Sequence, residues 1–289
     1  MVKKIGFIGA GKVGFSLGKY IREKAGDIFN IHGYYSQNYN SAVAAAAFAG
    51  GKAFNTAAEL AAGCDLLLLT VPDGQIEDVW EQLRDKISNP LLVGHCSGLQ
   101  DSRIFLSPAD VPAVSHSFGS IHPIMSICDK DTAYLKLPEA YFTIEGDEPF
   151  IDFMDIFLSA LGNPYSIIDT DKKTLYHAAS VMVSNLVCSL AFEGAEVFKA
   201  CGLDDEFAEK AWRPLFLGNA ENIYSVGPIL ALTGPVERAD AETVKRHLGA
   251  LSGESKKMYL LLSHILIDVA QLKNPNRDYS EIRDALCSE

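Results

Sequence analysis

Near its start the chain reads Lys4-Ile5-Gly6-Phe7-Ile8-Gly9-Ala10-Gly11-Lys12-Val13-Gly14, an apolar run that passes directly into three glycines spaced Gly-x-Gly-x-x-Gly. Few short patterns restrict a fold as strongly. An apolar run of that length is a buried strand, and the periodic stretch after Gly11 is a helix. In such a unit Gly9 permits the tight turn, Gly11 lets a backbone approach a pyrophosphate, and Gly14 lets the helix lie close on the strand. The helix start adds unpaired N–H groups and the positive end of its dipole. Gly9, Ala10, Gly11, Lys12, Val13 and Gly14 are therefore read as a dinucleotide phosphate grip, against the plainer reading of a glycine turn that holds no ligand.

The rhythm continues. Short apolar runs at Ile5 to Ile8, Ile31 to Tyr35, Leu66 to Val71, Leu91 to Val93 and Ala113 to Ser115 alternate with helical patterns at Val13 to Lys24, Ser41 to Ala49, Thr56 to Ala62 and Gln75 to Lys86. Asn55 and Asp73 are candidate helix caps. That order is βαβ repeated, the pattern of a parallel sheet with crossover helices. Ala140 to Glu145, Phe150 to Ala160 and Tyr165 to Ile168 add a strand, a helix and a strand. From Asp171 the pattern becomes helical throughout, with Lys173 to Ala200 as one segment, then Asp205 to Tyr224 and Ser255 to Leu272. The fold class expected is α/β: a Rossmann-type parallel-sheet domain over residues 1–169, followed by an all-helical domain over 170–289.

Composition limits the partners. With 48% hydrophobic and 21% charged residues the chain can bury two cores. A formal charge of -12 leaves no basic field for nucleic acid or anionic lipid. The six cysteines show no paired spacing, so no metal site or disulfide framework is read from them. The N-terminal residues lack the pattern of a signal peptide, and the longest apolar stretches noted, Leu66 to Val71 and Leu260 to Ala270, are too short or interrupted for a bilayer. A cytoplasmic protein with a small-molecule substrate is expected.

The cofactor subtype is read at the end of the second strand, where a site for NAD carries an acidic residue on the ribose 2′-hydroxyl. From Ile28 to Ala58 there is no Asp or Glu. Ser36 and Gln37 offer a hydroxyl and an amide that tolerate a 2′-phosphate, so NADP is expected ahead of NAD. Val71, Pro72, Asp73 and Ser97 follow later strands at the edge where ligands bind.

Hydride transfer also needs a proton donor and a means of orienting the substrate. His122, stiffened by Pro123, is one candidate; a loop histidine with a structural partner is the other reading. His177 shares a polar helix face with Lys173, Ser184 and Asn185, which suits either a ligand cleft or a helix seam. Arg238 is read either as a carboxylate clamp or as a structural partner of Glu237 or Asp240.

Together, the glycine turn, Val71-Pro72-Asp73, His95-Cys96-Ser97-Gly98, Ser120-Ile121-His122-Pro123, Tyr176-His177-Ala178-Ala179, Asn185 and Leu232-Thr233-Gly234-Pro235-Val236 resemble a family of NADP oxidoreductases. That family joins a Rossmann-like domain to a helical domain of unknown function. The resemblance covers almost the whole chain. Its wider relatives are pyrroline-5-carboxylate reductase, F420-dependent NADP reductases, ketopantoate reductase, and 6-phosphogluconate and hydroxyisobutyrate dehydrogenases. It implies a 6-phosphogluconate-dehydrogenase-like helical domain that forms a homodimer, and Lys173 and Asn185 as groups that orient substrate. His177 stands where several relatives place an asparagine. The His122-Pro123 pair is similar to a turn in prephenate dehydrogenases whose histidine meets a substrate hydroxyl. Gln37 replaces a frequent arginine, and Ala239 replaces a glycine usual in the Thr-Gly-Pro turn. A non-catalytic dinucleotide-binding sensor and an F420-dependent reductase are the alternatives.

Overall fold

The computed structural model describes residues 2–106 and 115–287. The chain divides into two compact units, Met1–Ser184 and Asn185–Glu289.

The first unit is built on eight described strands: β1 (Lys3–Ile8), β2 (Phe29–Tyr35), β3 (Lys52–Ala53), β4 (Leu66–Leu69), β5 (Leu92–His95), β6 (Ser117–Pro123), β7 (Phe142–Gly146) and β8 (Tyr165–Ile167). They form one sheet in the order β3-β2-β1-β4-β5-β6-β7-β8. All pairings are parallel except β6 with β7. The helices are α1 (Lys12–Ala25), α2 (Tyr39–Ala49), α3 (Ala57–Ala61), α4 (Ile76–Arg84), α5 (Glu148–Leu161) and α6 (Lys173–Met182).

A strand with helices on both faces buries every side chain, so it reads as an unbroken apolar run. Strand β4 is Leu66-Leu67-Leu68-Leu69, all fully buried. Leu66 and Leu68 join the core beneath α1, α2 and α5. Leu67 and Leu69 join the opposite core around Trp80 and Leu83 of α4. This is the period of two that a pleated strand imposes.

The expected elements and the observed ones differ at the edges. The strand read at Ala113 to Ser115 falls largely outside the described residues, and the strand beside β5 is Ser117–Pro123. Asn55 does not cap α3. Thr56 does, its hydroxyl accepting from Glu59 N at 3.2 Å while Glu59 Oε2 accepts from Thr56 N at 3.3 Å. Asp73 opens a short 3-10 turn ahead of α4, and its carboxylate instead accepts from the Ser97 hydroxyl at 2.7 Å.

The second unit is helical: α7 (Asn185–Ala200), α8 (Asp205–Ala231), α9 (Ala241–Ala250), α10 (Gly253–Lys273) and α11 (Ser280–Cys287). Its core lies among α9, α10 and α11, around Val244, Leu248, Ile267, Tyr279 and Ile282. The segment expected to run unbroken from Lys173 to Ala200 is two helices. The break falls at Val183 and Ser184, where Ser184 Oγ donates to Ser180 O at 2.6 Å and Ser180 Oγ donates to Tyr176 O at 3.2 Å. Serines that bond back to the preceding turn compete with the helix ladder. The unit boundary therefore lies after α6, beyond the residue 169 read from the change of pattern. Helix α8 extends past Tyr224 to Ala231, with a kink at Gly227.

By length and composition Thr170–Ala200 would suffice to cross a membrane, a stretch the sequence reading had not counted among the longest apolar ones. Lys173, at its start, is 2% exposed and packed into the first unit.

Candidate active site

Strands β1 and β4 are parallel neighbours in register, Ile8 beside Leu69, so the loops that leave them meet at one edge of the sheet. Gly9 turns there with φ +102, and its N–H donates to Tyr35 O at 2.8 Å. A Cβ on Gly9 would fall 2.6 Å from Thr70 O, and one on Gly14 would fall 2.6 Å from Gly9 O. Both glycines are thus required by the protein's own packing. Gly11 is different: its nearest neighbour would stand 3.9 Å away, leaving the backbone open. It heads α1 with no side-chain cap, so the first N–H groups of a 14-residue helix are free for an anion.

A cavity of about 510 Å³ opens at this turn, lined by Gly9, Ala10, Gly11, Ser36, Gln37, Val71 and Pro72. Lys86, unmarked by the sequence reading, also lines it. On α1, Lys12 is exposed, Val13 half-buried and Gly14 buried. The open backbone, the bare helix terminus and the cavity size fit a nicotinamide dinucleotide. Ser97 and Asp73 do not line this cavity. The Ser97 hydroxyl accepts from Leu99 N at 3.1 Å and Gln100 N at 2.9 Å while donating to Asp73, so the pair ties together the loops after β4 and β5.

Strand β5 ends at His95, and Cys96-Ser97-Gly98 follows. Gly98 sits beneath two imidazoles: a Cβ there would lie 2.7 Å from His177 Nδ1 and 2.9 Å from His122 Nε2. His122 comes from β6, adjacent to β5, and His177 from α6. The two histidines that the sequence placed on separate motifs therefore converge on one α-carbon. The His177 Nδ1 atom is buried and has no hydrogen-bond partner among the described residues. His122 Nδ1 meets the Tyr176 hydroxyl at 2.6 Å. Burial first, then the charge of Lys173, lowers His122 to about 4, so the ring is neutral at physiological pH. His95, fully buried, is pushed down to about 3 by burial and then by Lys173. It accepts from Ser97 N on Nδ1 at 3.2 Å and lies 3.2 Å from Asp101 O through Nε2, which places its proton on Nε2.

Lys173, which the resemblance implied as a group that orients substrate, is engaged by atoms of the protein itself. Its ammonium donates to Ser97 O at 3.0 Å and Ser120 Oγ at 2.6 Å and stands 3.7 Å from Glu145 Oε1. Glu145 is 1% exposed and accepts from Ser102 N at 2.9 Å, Ser102 Oγ at 2.8 Å and Thr170 Oγ1 at 3.2 Å. An ammonium with its donors engaged is a strut beneath the Ser97-Gly98 loop. Burial lowers the pKa of Lys173 from the usual lysine range. Sequence reasoning missed Glu145 and Ser120. A glutamate inside the run Phe142-Thr143-Ile144-Glu145, read as a strand, was the available signal, because unpaired carboxylates are not placed in buried strands.

Asn185 heads α7 at the start of the second unit, past the break in the helix. Glu237 is taken by Arg277, 3.0 Å from its carboxylate, and by Asn274 at 2.8 Å. Asp240 caps α9 through Thr243 N at 3.0 Å, and its pKa is lowered by the Thr243 bonds and further by the charge of Arg238, the partner read for it in the sequence.

Comparisons place these features among known proteins. Residues 4–96 match the family described as NADP oxidoreductase coenzyme F420-dependent, and residues 140–265 match a Domain of unknown function (DUF2520). Among solved structures the chain is similar to protein TM1727 from Thermotoga maritima, 26% identical with a TM-score of 0.73, over 93% of this chain and 99% of that one. Pyrroline carboxylate reductase of Plasmodium falciparum, crystallised with NADP bound, shares the fold at 12% identity and a TM-score of 0.52, over 99% and 96% of the two chains. An imine reductase from Pseudomonas sp. does so at 14% identity and 0.59, over 99% and 92%. No curated protein matches the chain.

Proposed function

For a chain that joins an NADP oxidoreductase domain of the F420-dependent family to a DUF2520 domain, we propose reduction of the carbonyl or imine of a small, carboxylate-bearing metabolite, with NADP as cofactor. The observation that carries this reading is the convergence of His122 Nε2 and His177 Nδ1 over Gly98. They stand at the sheet edge where the glycine turn lies, and the Ser97–Asp73 bond links the loops. A nicotinamide held there supplies hydride. The protein's part is a proton donor at the substrate heteroatom and a rigid surface against which substrate is oriented. His122 and His177 face that position, and Lys173 with Glu145 keeps the loop beneath them in place.

The preference for NADP rests on the absence of any carboxylate from Ile28 to Ala58, on Ser36 and Gln37 at the cavity wall, and on the cation Lys86 lining the same cavity. Asn185 remains a candidate for orienting the substrate. The homodimer is supported by the second unit's surface. Helix α7 has no buried residue in the isolated chain, and α8 has only Ala208 and Ala231, while Phe192, Leu215 and Tyr224 are exposed. Apolar surface on that scale is covered in a stable protein, and a second copy is the partner always at hand. We place the enzyme in the cytoplasm.

The reading is tested by NADPH consumption across a panel of keto acids and cyclic imines, with the deazaflavin F420 included. Turnover that falls in His122→Gln and His177→Gln while NADPH still binds supports it. Saturable NADPH binding with no turnover on any member would instead mark a non-catalytic dinucleotide-binding protein.

A further inference from the structure

His122 is neutral, so it carries one ring proton, and the nitrogen that holds it decides whether the ring offers a donor or an acceptor over Gly98. We propose that Tyr176 is a positioning residue that sets this tautomer: its phenol donates to His122 Nδ1 and keeps the ring proton on Nε2, the nitrogen facing Gly98. The proposal rests on the oxidoreductase reading only for the use made of that donor. The tautomer itself is a property of the chain alone.

Geometry and acidity carry it together. The Tyr176 hydroxyl lies 2.6 Å from Nδ1, with the two rings edge to face at 86° and centroids 5.6 Å apart, so the phenol is aimed at the nitrogen and not stacked on the ring. The neighbouring hydroxyl on the same helix, Ser180 Oγ, donates to the main-chain oxygen of Tyr176 at 3.2 Å and leaves the phenol's own proton to His122 Nδ1. Finally, a phenol is a far stronger acid than a neutral imidazole N–H, and imidazole nitrogen is the stronger base of the possible acceptors. Proton donation from oxygen to Nδ1 is therefore the favoured sense of the bond.

Burial raises the pKa of Tyr176, which keeps its proton available across the physiological range. Beyond burial, Lys173 and His177 oppose a second proton on the His122 ring and Asp73 favours it, while the charge of His122 in turn opposes protonation of His95. Tyr176 and His177 are neighbours on α6, so one helical turn supplies both the second imidazole and the group that orients the first. The result is an N–H on the His122 nitrogen that stands nearest Gly98, where His177 Nδ1 also converges. That arrangement suits a substrate oxygen or nitrogen gaining negative charge, because a neutral imidazole N–H donates to such an atom without the ring ever bearing a full charge beforehand.

The test is an NMR measurement on the unliganded, full-length protein with ¹⁵N-labelled histidine, reading the two-bond ring correlations at pH 7, with the His122 signals identified by their loss in His122→Gln. The expected pattern is a single tautomer with a bare Nδ1 and a protonated Nε2. In Tyr176→Phe the single pattern is lost to a mixture, and kcat on any substrate found falls about 10- to 100-fold with KM little changed. A wild-type ring protonated on Nδ1 would overturn the proposal whatever the variant does. So would an identical tautomer pattern in folded Tyr176→Phe. Failure to find a substrate would count against the proposed reaction and leave the tautomer reading standing or falling by the spectrum.

Discussion

Lowering the pH from 7 to 5 is expected to remove just under about 4 kcal/mol of folding stability, through His95 and His122. Both rings are held far below the ordinary histidine range, at about 3 and about 4, mainly because burial penalises the cation. In the unfolded chain each titrates near about 6.5. The unfolded state therefore takes up protons that the folded state refuses, and stability present above pH 6.5 is lost as the pH falls toward the folded values. At pH 5 each unfolded imidazole gains about 2 kcal/mol from protonation, against about 0.2 at pH 7. The difference does not depend on the folded values so long as both stay below about 4.5. Carboxylates held low by their partners, such as Asp101 and Glu237, contribute little in this window, since unfolded carboxyls titrate near about 4. Urea denaturation at fixed protein concentration, followed by far-UV circular dichroism at pH 7, 6 and 5, reads the loss. His95→Asn with His122→Asn is expected to reduce the slope by the share of these two rings, leaving that of His32 and His116, which burial also lowers. Equal midpoints at pH 7 and 5, or a ring pKa above 6 for either histidine in the folded protein, would refute the reasoning.

Three substitutions probe other parts of the account. Gly98→Ala places a methyl 2.7 Å from His177 Nδ1 and 2.9 Å from His122 Nε2, and is expected to lower turnover on the order of 100-fold without unfolding the protein; unchanged kinetics would mean the histidines do not act there. Lys173→Met leaves the buried Glu145 without its cation and is expected to cost about 3 to 5 kcal/mol in urea denaturation, part of which Lys173→Met with Glu145→Gln restores; a loss under about 1 kcal/mol would contradict the strut. Ala239 adopts φ +61, a conformation that costs an alanine roughly 1 to 2 kcal/mol, so Ala239→Gly is expected to raise stability by about 0.5 to 1 kcal/mol after its own entropic cost, with a lower urea midpoint as the contrary result.

The strand and helix order of the first unit was legible because burial on both faces of a parallel sheet writes itself as apolar runs such as Leu66 to Leu69. The glycine turn was legible for a related reason: Gly9 and Gly14 answer to contacts within fifteen residues or across one strand pair. The histidine cluster was only half legible. His122 and His177 could be named from their types and positions, yet their meeting over Gly98 is set by the β5–β6 register and by α6 packing, which no local pattern encodes. The contacts of Lys173 were not legible, because a lysine on an apolar helix looks like a group reaching for a ligand, while its partner Glu145 sits on a strand read only for its apolar residues. The division of the helix at Ser184 was missed because hydrophobic period persists across it, and serine back-bonding leaves no mark in that period. Ala239 was noticed as a replaced glycine, and its left-handed backbone supplies the reason glycine suits the position.

The central claim is that the glycine turn holds a nicotinamide dinucleotide over the open backbone of Gly11. Calorimetric titration of NADPH and NADH into the full chain and into Gly11→Val tests it most directly, since a side chain at that position occupies the space left for pyrophosphate without meeting the protein itself. The account predicts saturable binding of one cofactor per chain, tighter for NADPH than for NADH, and lost in a variant that keeps its fold. No binding of either nucleotide at millimolar concentration, or equal affinity in Gly11→Val, would contradict it.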